Sequence, residues 1–470
     1  DGTNINVTVV AGSGVSMNDA TSSYGSMASQ EVKTNMDTIS LTVNSHSQMM
    51  VEMTVNITAD GGYSDSTTFE LSINNPTPQL PGFPVPSWGG HNASVRTADF
   101  DNDGDLEIVT VSNDGTVSLF HHDGTYHPGW PINLLGIQEF DQLLVLAPPA
   151  IVDMDMDGDL EIIIADQHTD TEWINPNRPE NGTKTKIEGR IHVFNHDATY
   201  LSGWPWVTQL NWEDPPKQAG FKAGPCIADI AGDDHYEIIA GNYGDHVFAW
   251  DYQGNIVSGW PRNLQVDIFA TASAFDYDGD NKDEVVVATK ADEEPLNSGA
   301  IYMFDGDGTQ MPGFPVAWNN QIYGVPALAD MDGDAIPEII FGFGDYANEF
   351  EPNGIMVMDM RSGALEGWPV TLTDSIYSAP AIGDLDSDGD LEIVVTSVNA
   401  DMYAYHHDGT PVTGFPVTVH SDPEAGINSS PTIGDLDNDG TPEICVCVEV
   451  GFQTSASLHI FAANGTEKSY

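Results

Sequence analysis

The chain has 470 residues, 40% of them hydrophobic, and a formal net charge of −59 from 72 acidic against 13 basic side chains. So acidic a surface excludes nucleic acid and anionic membranes as partners for most of its area. The apolar content is too high for a disordered acidic tail, and no run of about eighteen apolar residues is present to span a bilayer.

The sequence opens at Asp1 with no leader-like stretch, as a mature or excised chain would. Residues 1–74 alternate apolar and polar positions at Ile39–Val43, Met49–Ile57 and Thr68–Ile73, with a Gly61-Gly62 turn. Alternation of period two reads as half-buried strands, and a small immunoglobulin-like β-sandwich is expected for 1–74. Residues 75–88 follow as a stiff linker carrying Pro76, Pro78, Pro81, Pro84 and Pro86.

From 89 to 470 the sequence repeats itself. The pattern D-x-D-x-D-x-x-x-E, with position three varied once, at Ala231, starts at Asp99, Asp153, Asp229, Asp276, Asp330, Asp384 and Asp435, at a spacing near fifty with one enlarged unit from 153 to 229. An apolar run precedes each copy and another follows it, as at Ala150–Val152 and Ile162–Ile164. A third strand then ends at a tight turn such as FHHDGT (120–125) or YHHDGT (405–410), a hairpin signal. A fourth segment carries Gly-Trp-Pro or Gly-Phe-Pro, starting at Gly129, Gly203, Gly259, Gly313, Gly367 and Gly414. Four short strands per unit and seven units predict an all-β fold, a seven-bladed β-propeller. The seventh unit ends after its turn, whereas an orphan PGFPVP stands at 81–86. A strand from Gly82 is therefore expected to complete the last blade and close the ring, which protects exposed sheet edges.

The acidic motif needs a counter-charge, because two carboxylates about 5 Å apart repel by roughly 3 kcal/mol at an effective dielectric near 20. Alternating carboxylates, a glycine and a terminal Glu match the oxygen cage of Ca²⁺, with positions one, three and five wrapping the ion, seven offering a carbonyl and nine closing the cage. Magnesium prefers fewer protein ligands and more water, and zinc lacks thiolate or imidazole at these positions. The candidate ligands are Asp99, Asp101, Asp103, Asp105 and Glu107 in the first copy and Asp153, Asp155, Asp157, Asp159 and Glu161 in the second. The third offers Asp229, Asp233 and Glu237, and the fourth Asp276, Asp278, Asp280, Lys282 (carbonyl) and Glu284. They continue with Asp330, Asp332, Asp334, Ile336 (carbonyl) and Glu338, then Asp384, Asp386, Asp388, Asp390 and Glu392, then Asp435, Asp437, Asp439, Thr441 (carbonyl) and Glu443. Six or seven Ca²⁺ ions are expected, one per blade. The third site should be the weakest, since Ala231 stands at position three and Asp234 where glycine is usual. Seven ions carry fourteen positive charges and would lower the formal charge from −59 to −45.

On these residues the chain resembles the FG-GAP/VCBS repeat family, the calcium-loop propeller of integrin α-subunits and of many bacterial and archaeal surface proteins. The resemblance covers about Gly82 to Tyr470 and implies that each loop joins the first two strands of a blade, with calcium on the lower face. It also implies a secreted or cell-surface location. The chain departs from the family in having Glu rather than Asp at position nine and only partial Phe-Gly echoes, as at Phe341-Gly342.

If the ion loops and the hairpin turns share one face, the long insertions share the other: Asp166 to Gly189, Thr208 to Pro225, Lys290 to Gly299, Gly344 to Gly354, Val419 to Pro431 and Glu449 to Ser457. Loops on a rigid scaffold carry function, so this upper face is the candidate binding face. The enlarged unit brings Trp173, Trp212 and Phe221 alongside Arg178, Lys184, Lys186, Lys217 and Lys222, which suits sugar stacking and carboxylate pairing. The plainer alternative is that these loops pack on one another and the cations offset nearby acids. His121, His122, His196, His406 and His407 read as solvated turn residues. Trp130, Trp204, Trp260 and Trp368 read as packing between blades, and Cys226, Cys445 and Cys447 as buried free thiols. No nucleophile elbow, phosphate loop or HExxH motif is present, and no catalytic residue is assigned. The leading function is a noncatalytic extracellular recognition or adhesion module for a glycan or a surface protein, which includes other domains of a larger surface protein, with neither nucleic-acid binding nor membrane insertion. The alternatives are a lyase-like carbohydrate-active propeller and a structural subunit of a surface assembly.

Overall fold

A computed structural model describes residues 94–470 except 113–114, 135–141, 146, 174–182, 209–219, 291–298, 319, 345–351, 362, 423–424, 428, 437–438, 451–454 and 469–470, together with strands between Gly2 and Ile73. The chain divides into two compact units, Asp1–Val85 and Pro86–Tyr470. In the first, an antiparallel sheet runs in the order Thr21–Met27, Gly2–Ala11, Met49–Ala59, Tyr63–Ile73, and Val15–Asp19 pairs separately with Ser40–Val43. The alternating stretches expected around 40–43, 49–57 and 68–73 are strands. The linker at 75–88 and the ring-closing strand from Gly82 lie outside the described residues.

The second unit is an all-β seven-bladed propeller. In the first blade, Arg96–Ala98, Glu107–Val111, Thr116–Phe120 and Ile132–Asn133 pair in sequence order as an antiparallel meander, and the same plan recurs around the ring. In the third to sixth blades the second strand is a largely β-branched run covered on both faces, so it reads as continuously apolar rather than alternating. Glu237–Gly241, Glu284–Thr289, Glu338–Phe343 and Glu392–Thr396 are buried at every residue. Inner strands such as Ala150–Val152, Ser273–Phe275 and Ala381–Gly383 are half-buried throughout, as expected of strands around a propeller's central channel.

Neighbouring blades are joined by the Gly-Trp-Pro segments. The indole N–H of Trp130 donates to the His196 carbonyl at 2.8 Å, Trp204 to Tyr252 at 2.9 Å, Trp260 to Gly306 at 2.9 Å and Trp368 to His407 at 3.0 Å. Each acceptor lies on the hairpin turn of the next blade. The preceding glycine is needed there: a Cβ on Gly259 would sit 1.8 Å from the Asp307 carbonyl oxygen, and one on Gly203 would sit 2.0 Å from that of Gln253. The four tryptophans are 6–7% exposed, in agreement with the expected packing between blades.

Two expectations need correction. The segment from Asp166 to Gly189 is a ladder rather than a loop insertion along most of its length, with Glu161–Trp173 paired to Thr183–Phe194 up to Trp173 opposite Thr183. None of the three cysteines is fully buried: Cys226 and Cys445 are half-buried, and Cys447 is exposed, standing opposite Leu458, itself 62% exposed, in the last blade.

Candidate ion loops and the opposite face

Each acidic loop links the first strand of its blade to the second, and the terminal Glu is the first residue of that buried second strand. The seven loops share one hydrogen-bond frame. Oδ2 of the first Asp accepts the N–H of position six at 2.8–3.1 Å. Oδ1 of the fifth-position Asp accepts the N–H of position seven at 2.8–3.1 Å. Oε2 of the Glu accepts the N–H of position two at 2.7–3.0 Å. Position six is left-handed, as the glycine there suggested, with φ near +97° at Gly389 and +65° at Asn281. Position four is left-handed too, at Asn102, Met156 and Ser387, and at Gly232, Gly279 and Gly333, the three copies in which the sequence places glycine there. Asp437 lies outside the described residues.

The frame leaves negative charge without a counter-charge. All seven glutamates are buried, from 0% exposure at Glu107 to 3% at Glu237. Burial, reinforced by the neighbouring aspartates, pushes Glu161, Glu237, Glu284 and Glu338 up to about 7. Glu107 Oε1, Asp155 Oδ1 and Asp384 Oδ1 are buried and have no hydrogen-bond partner. An unpaired buried carboxylate oxygen is expensive, and a hard cation is the group that satisfies several at once, so the residues present fit a calcium ion.

The third loop keeps its frame despite Ala231. Asp229 and Glu237 make the usual bonds, Asp234 accepts the left-handed position at φ +67°, and only the third-position carboxylate is missing. Its Gly232 lies under the stem of Lys282 from the next loop, where an added Cβ would meet Cγ at 2.8 Å.

Basic side chains from the hairpin turns and from beyond them reach into several loops. Arg361 pairs with Asp334, and Lys468 with Glu443. The turn histidines are solvent-accessible as expected, His122 most of all, and they also face the loop carboxylates. His406 Nδ1 is 3.0 Å from Glu392 Oε1, His121 Nδ1 is 3.5 Å from Glu107 Oε1, and His122, His196 and His407 lie 3.4–3.6 Å from Asp105, Asp159 and Asp390. The turn and the ion loop share one end of each blade, so turn tips necessarily hang over the cage.

Of the basic and aromatic residues proposed for the opposite face, Phe221 and Lys222 are described with their side chains. Trp173, Lys184 and Lys186 belong to the long ladder, in which Asp170 stands opposite Lys186 and Glu172 opposite Lys184. Arg178, Trp212 and Lys217 lie outside the described residues. Phe221 is 1% exposed and packs against Phe248 and Trp250 at ring separations of 6.1 and 5.9 Å, so it is core and not a ligand platform.

Lys222 is half-buried and opens a different array. Its Nζ lies 3.7 Å above the Tyr243 ring; Tyr243 meets Phe269 at 4.9 Å, and Lys290 Nζ lies 5.1 Å from Phe269 and 4.9 Å from Tyr323, which meets Tyr377 at 4.0 Å. These residues stand on the connections away from the ion loops and cross the third to sixth blades. Sequence reasoning missed Tyr243, Phe269, Lys290, Tyr323 and Tyr377, although a repeat signal was there. Four residues before the inner strands at Cys226, Ser273, Ala327 and Ala381 stand Lys222, Phe269, Tyr323 and Tyr377, each after a fully buried anchor: Phe221, Ile268, Ile322 or Ile376.

The profile described as an FG-GAP-like repeat matches residues 99–164, 276–341 and 353–446. No curated protein matches the chain. Solved structures that resemble it include BBS1N in complex with ARL6DN, 12% identical over 81% of this chain and 93% of that one at a TM-score of 0.44. The V. cholerae biofilm matrix protein Bap1 is 14% identical over 81% and 93% at 0.41. A europium-containing methanol dehydrogenase is 11% identical over 87% and 82% at 0.49.

Proposed function

The chain belongs to the FG-GAP-like repeat family through its propeller, and from that premise we propose that it is a calcium-stiffened, noncatalytic recognition module acting outside the cell. The observation that carries the reading is the cation-and-aromatic array from Lys222 to Tyr377 on the face away from the ion loops. Half-exposed rings stack on sugar faces, and ammonium groups held over them pair with carboxylate or sulfate. An acidic glycan or an acidic protein loop therefore fits this strip, whereas the rest of a −59 surface repels it.

In this reading calcium occupies the loops and is structural. It supplies charge neutralisation, with Asp at positions one, three and five and the terminal Glu as its holders. The third loop, one carboxylate short, binds it most weakly, and the fifth and seventh compete with Arg361 and Lys468. The amino-terminal unit acts as a sandwich-like spacer. Extracellular calcium levels match the weak sites typical of such modules.

The test pairs two measurements. Elemental analysis together with melting in calcium and in EDTA addresses the metal; a metal-free chain that melts identically in both refutes it. Binding to alginate and to a neutral glucan in saturating calcium addresses the ligand. Lys222→Ala with Lys290→Ala should weaken alginate binding by about tenfold or more, consistent with two lost charge contacts. Unchanged binding refutes the strip.

A second, enzymatic reading has one observation in its favour. Buried Asp166 and His192 are 3.1 Å apart, and His192 Nδ1 meets the Tyr200 hydroxyl at 2.8 Å. Burial, then the charge of Asp166, pushes the Tyr200 phenol up, which opposes its use as a base and leaves it a proton donor. Lyase-type product release from alginate that is abolished in Tyr200→Phe would favour that reading.

A further inference from the structure

We propose that the first ion loop is chemically unlike the other six: His121 and His127 join Asp101 and Glu107 to form a nitrogen-bearing site for a zinc-class divalent transition ion. Nδ1 of His121 lies 3.6 Å from Asp101 Oδ2 and 3.5 Å from Glu107 Oε1. Those separations are long for hydrogen bonds, but they fall within the roughly 3.3–3.6 Å edges of a tetrahedron around an ion with bonds of about 2.0–2.2 Å. A ring nitrogen of His127 completes the group, with the donor atoms of Asp101, His121 and His127 all within 4.8 Å of one another.

Two side chains in this group have unmet polar atoms. His127 is 6% exposed and its Nδ1 has no hydrogen-bond partner, and neither has Glu107 Oε1. The placement of His127 is itself unusual. It stands two residues before the glycine of Gly-Trp-Pro, where the next five units carry Leu201, Val257, Met311, Leu365 and Val412. A buried imidazole thus replaces an aliphatic anchor in one repeat, beside the turn that also carries His121, and the two rings are 5.0 Å apart. The sixth blade is an internal control. His406 makes an ordinary 3.0 Å contact to Glu392, and Val412 holds the anchor position, so no second imidazole is available.

Imidazole nitrogen favours zinc-class ions over calcium, which takes oxygen. Glu107 Oε2 is already engaged by the Phe100 N–H at 2.8 Å, leaving Oε1 for the ion. The inference stands on the imidazoles and is independent of whether calcium fills the other loops.

The test uses Co²⁺ on the whole chain in saturating calcium, read by visible absorption and by bound metal per chain. One Co²⁺ that calcium does not displace is expected. His127→Leu and His121→Asn, the residues the second blade carries at these places, should each weaken it by at least about tenfold. His406→Asn should leave it unchanged. In the unaltered chain, Zn²⁺ should shift the imidazole resonances of two histidines. Wild-type cobalt binding in His127→Leu, displacement by calcium, equal loss in His406→Asn, or no imidazole shift would each overturn the proposal. Failure of the calcium reading would appear separately, as melting indifferent to EDTA.

Discussion

Glu161→Gln in the second ion loop should stabilise the metal-free chain and destabilise the calcium-loaded one. Glu161 is 1% exposed, its Oε2 takes the Met154 N–H at 2.7 Å, and burial pushes it up to about 7 from an ordinary 4.5. The folded chain therefore holds a proton between pH 4.5 and 7 that the unfolded chain releases, and metal-free stability falls as pH rises through that window. Above it, the ionised side chain costs about 3 kcal/mol, which an amide of the same shape avoids while still accepting from Met154. With calcium the balance reverses. An ion present at about a thousand times its Kd contributes about 4 kcal/mol, most of which is lost with a cage carboxylate. The assay is the urea midpoint at pH 8 and pH 5, each in calcium and in EDTA. The substitution should raise the midpoint in EDTA at pH 8, do little in EDTA at pH 5 and lower it in calcium. A midpoint lowered equally in EDTA and calcium at pH 8 would refute the idea that the cage is a site of stored like-charge repulsion.

Three further outcomes follow from the same geometry. Trp260→Phe should cost about 1 kcal/mol for the indole bond to Gly306, whereas Trp260→Ala should cost about 3–5, read by thermal melting. Gly259→Ala and Gly313→Ala share a left-handed backbone, φ +96° and +93°, but a Cβ meets the Asp307 oxygen at 1.8 Å in the first and nothing within 4 Å in the second. Only the first should cost well beyond the roughly 1–2 kcal/mol of the backbone strain they share, and equal losses would place the effect in conformation alone. Arg361→Ala frees Asp334 and should add a tighter calcium site by calorimetric titration, while an unchanged isotherm would show that the arginine does not compete.

The repeat made the propeller legible because seven registers reinforce one another: acidic loop, buried strand, hairpin turn and Gly-Trp-Pro all report the same unit. The ion loops were legible for a related reason, since a cage within nine residues is local and needs no tertiary information. The upper face was not, because its residues come together only when blades pack. Phe269, Tyr323 and Tyr377 each look unremarkable alone, and their common offset from the inner strand emerges once those strands are placed. Composition misled at Phe221, an aromatic near cations that proves to be the buried anchor beside the half-buried Lys222. The ladder at 161–194 was mistaken for a loop because Thr-Asp-Thr-Glu and Thr-Lys-Thr-Lys look polar. Yet threonine alternation is a strand signal, and the opposite charges stand across from each other. The carboxylate contacts of the turn histidines were not legible because their partners lie in the ion loop, on the far side of a hairpin.

The joints between blades are one-way couplings: a tryptophan from one unit grips a main-chain oxygen of its successor. A main-chain oxygen is supplied by any residue, so the receiving side asks little beyond its turn glycine, where a Cβ on Gly254, Gly308 or Gly409 would come within 2.7–2.9 Å of the donor glycine's carbonyl oxygen. Whole units can then be duplicated, lost or given new tips without redesigning the seam, provided the donor keeps its glycine and aromatic ring. Such tolerance lets the exposed rim diversify rapidly over an unchanging frame.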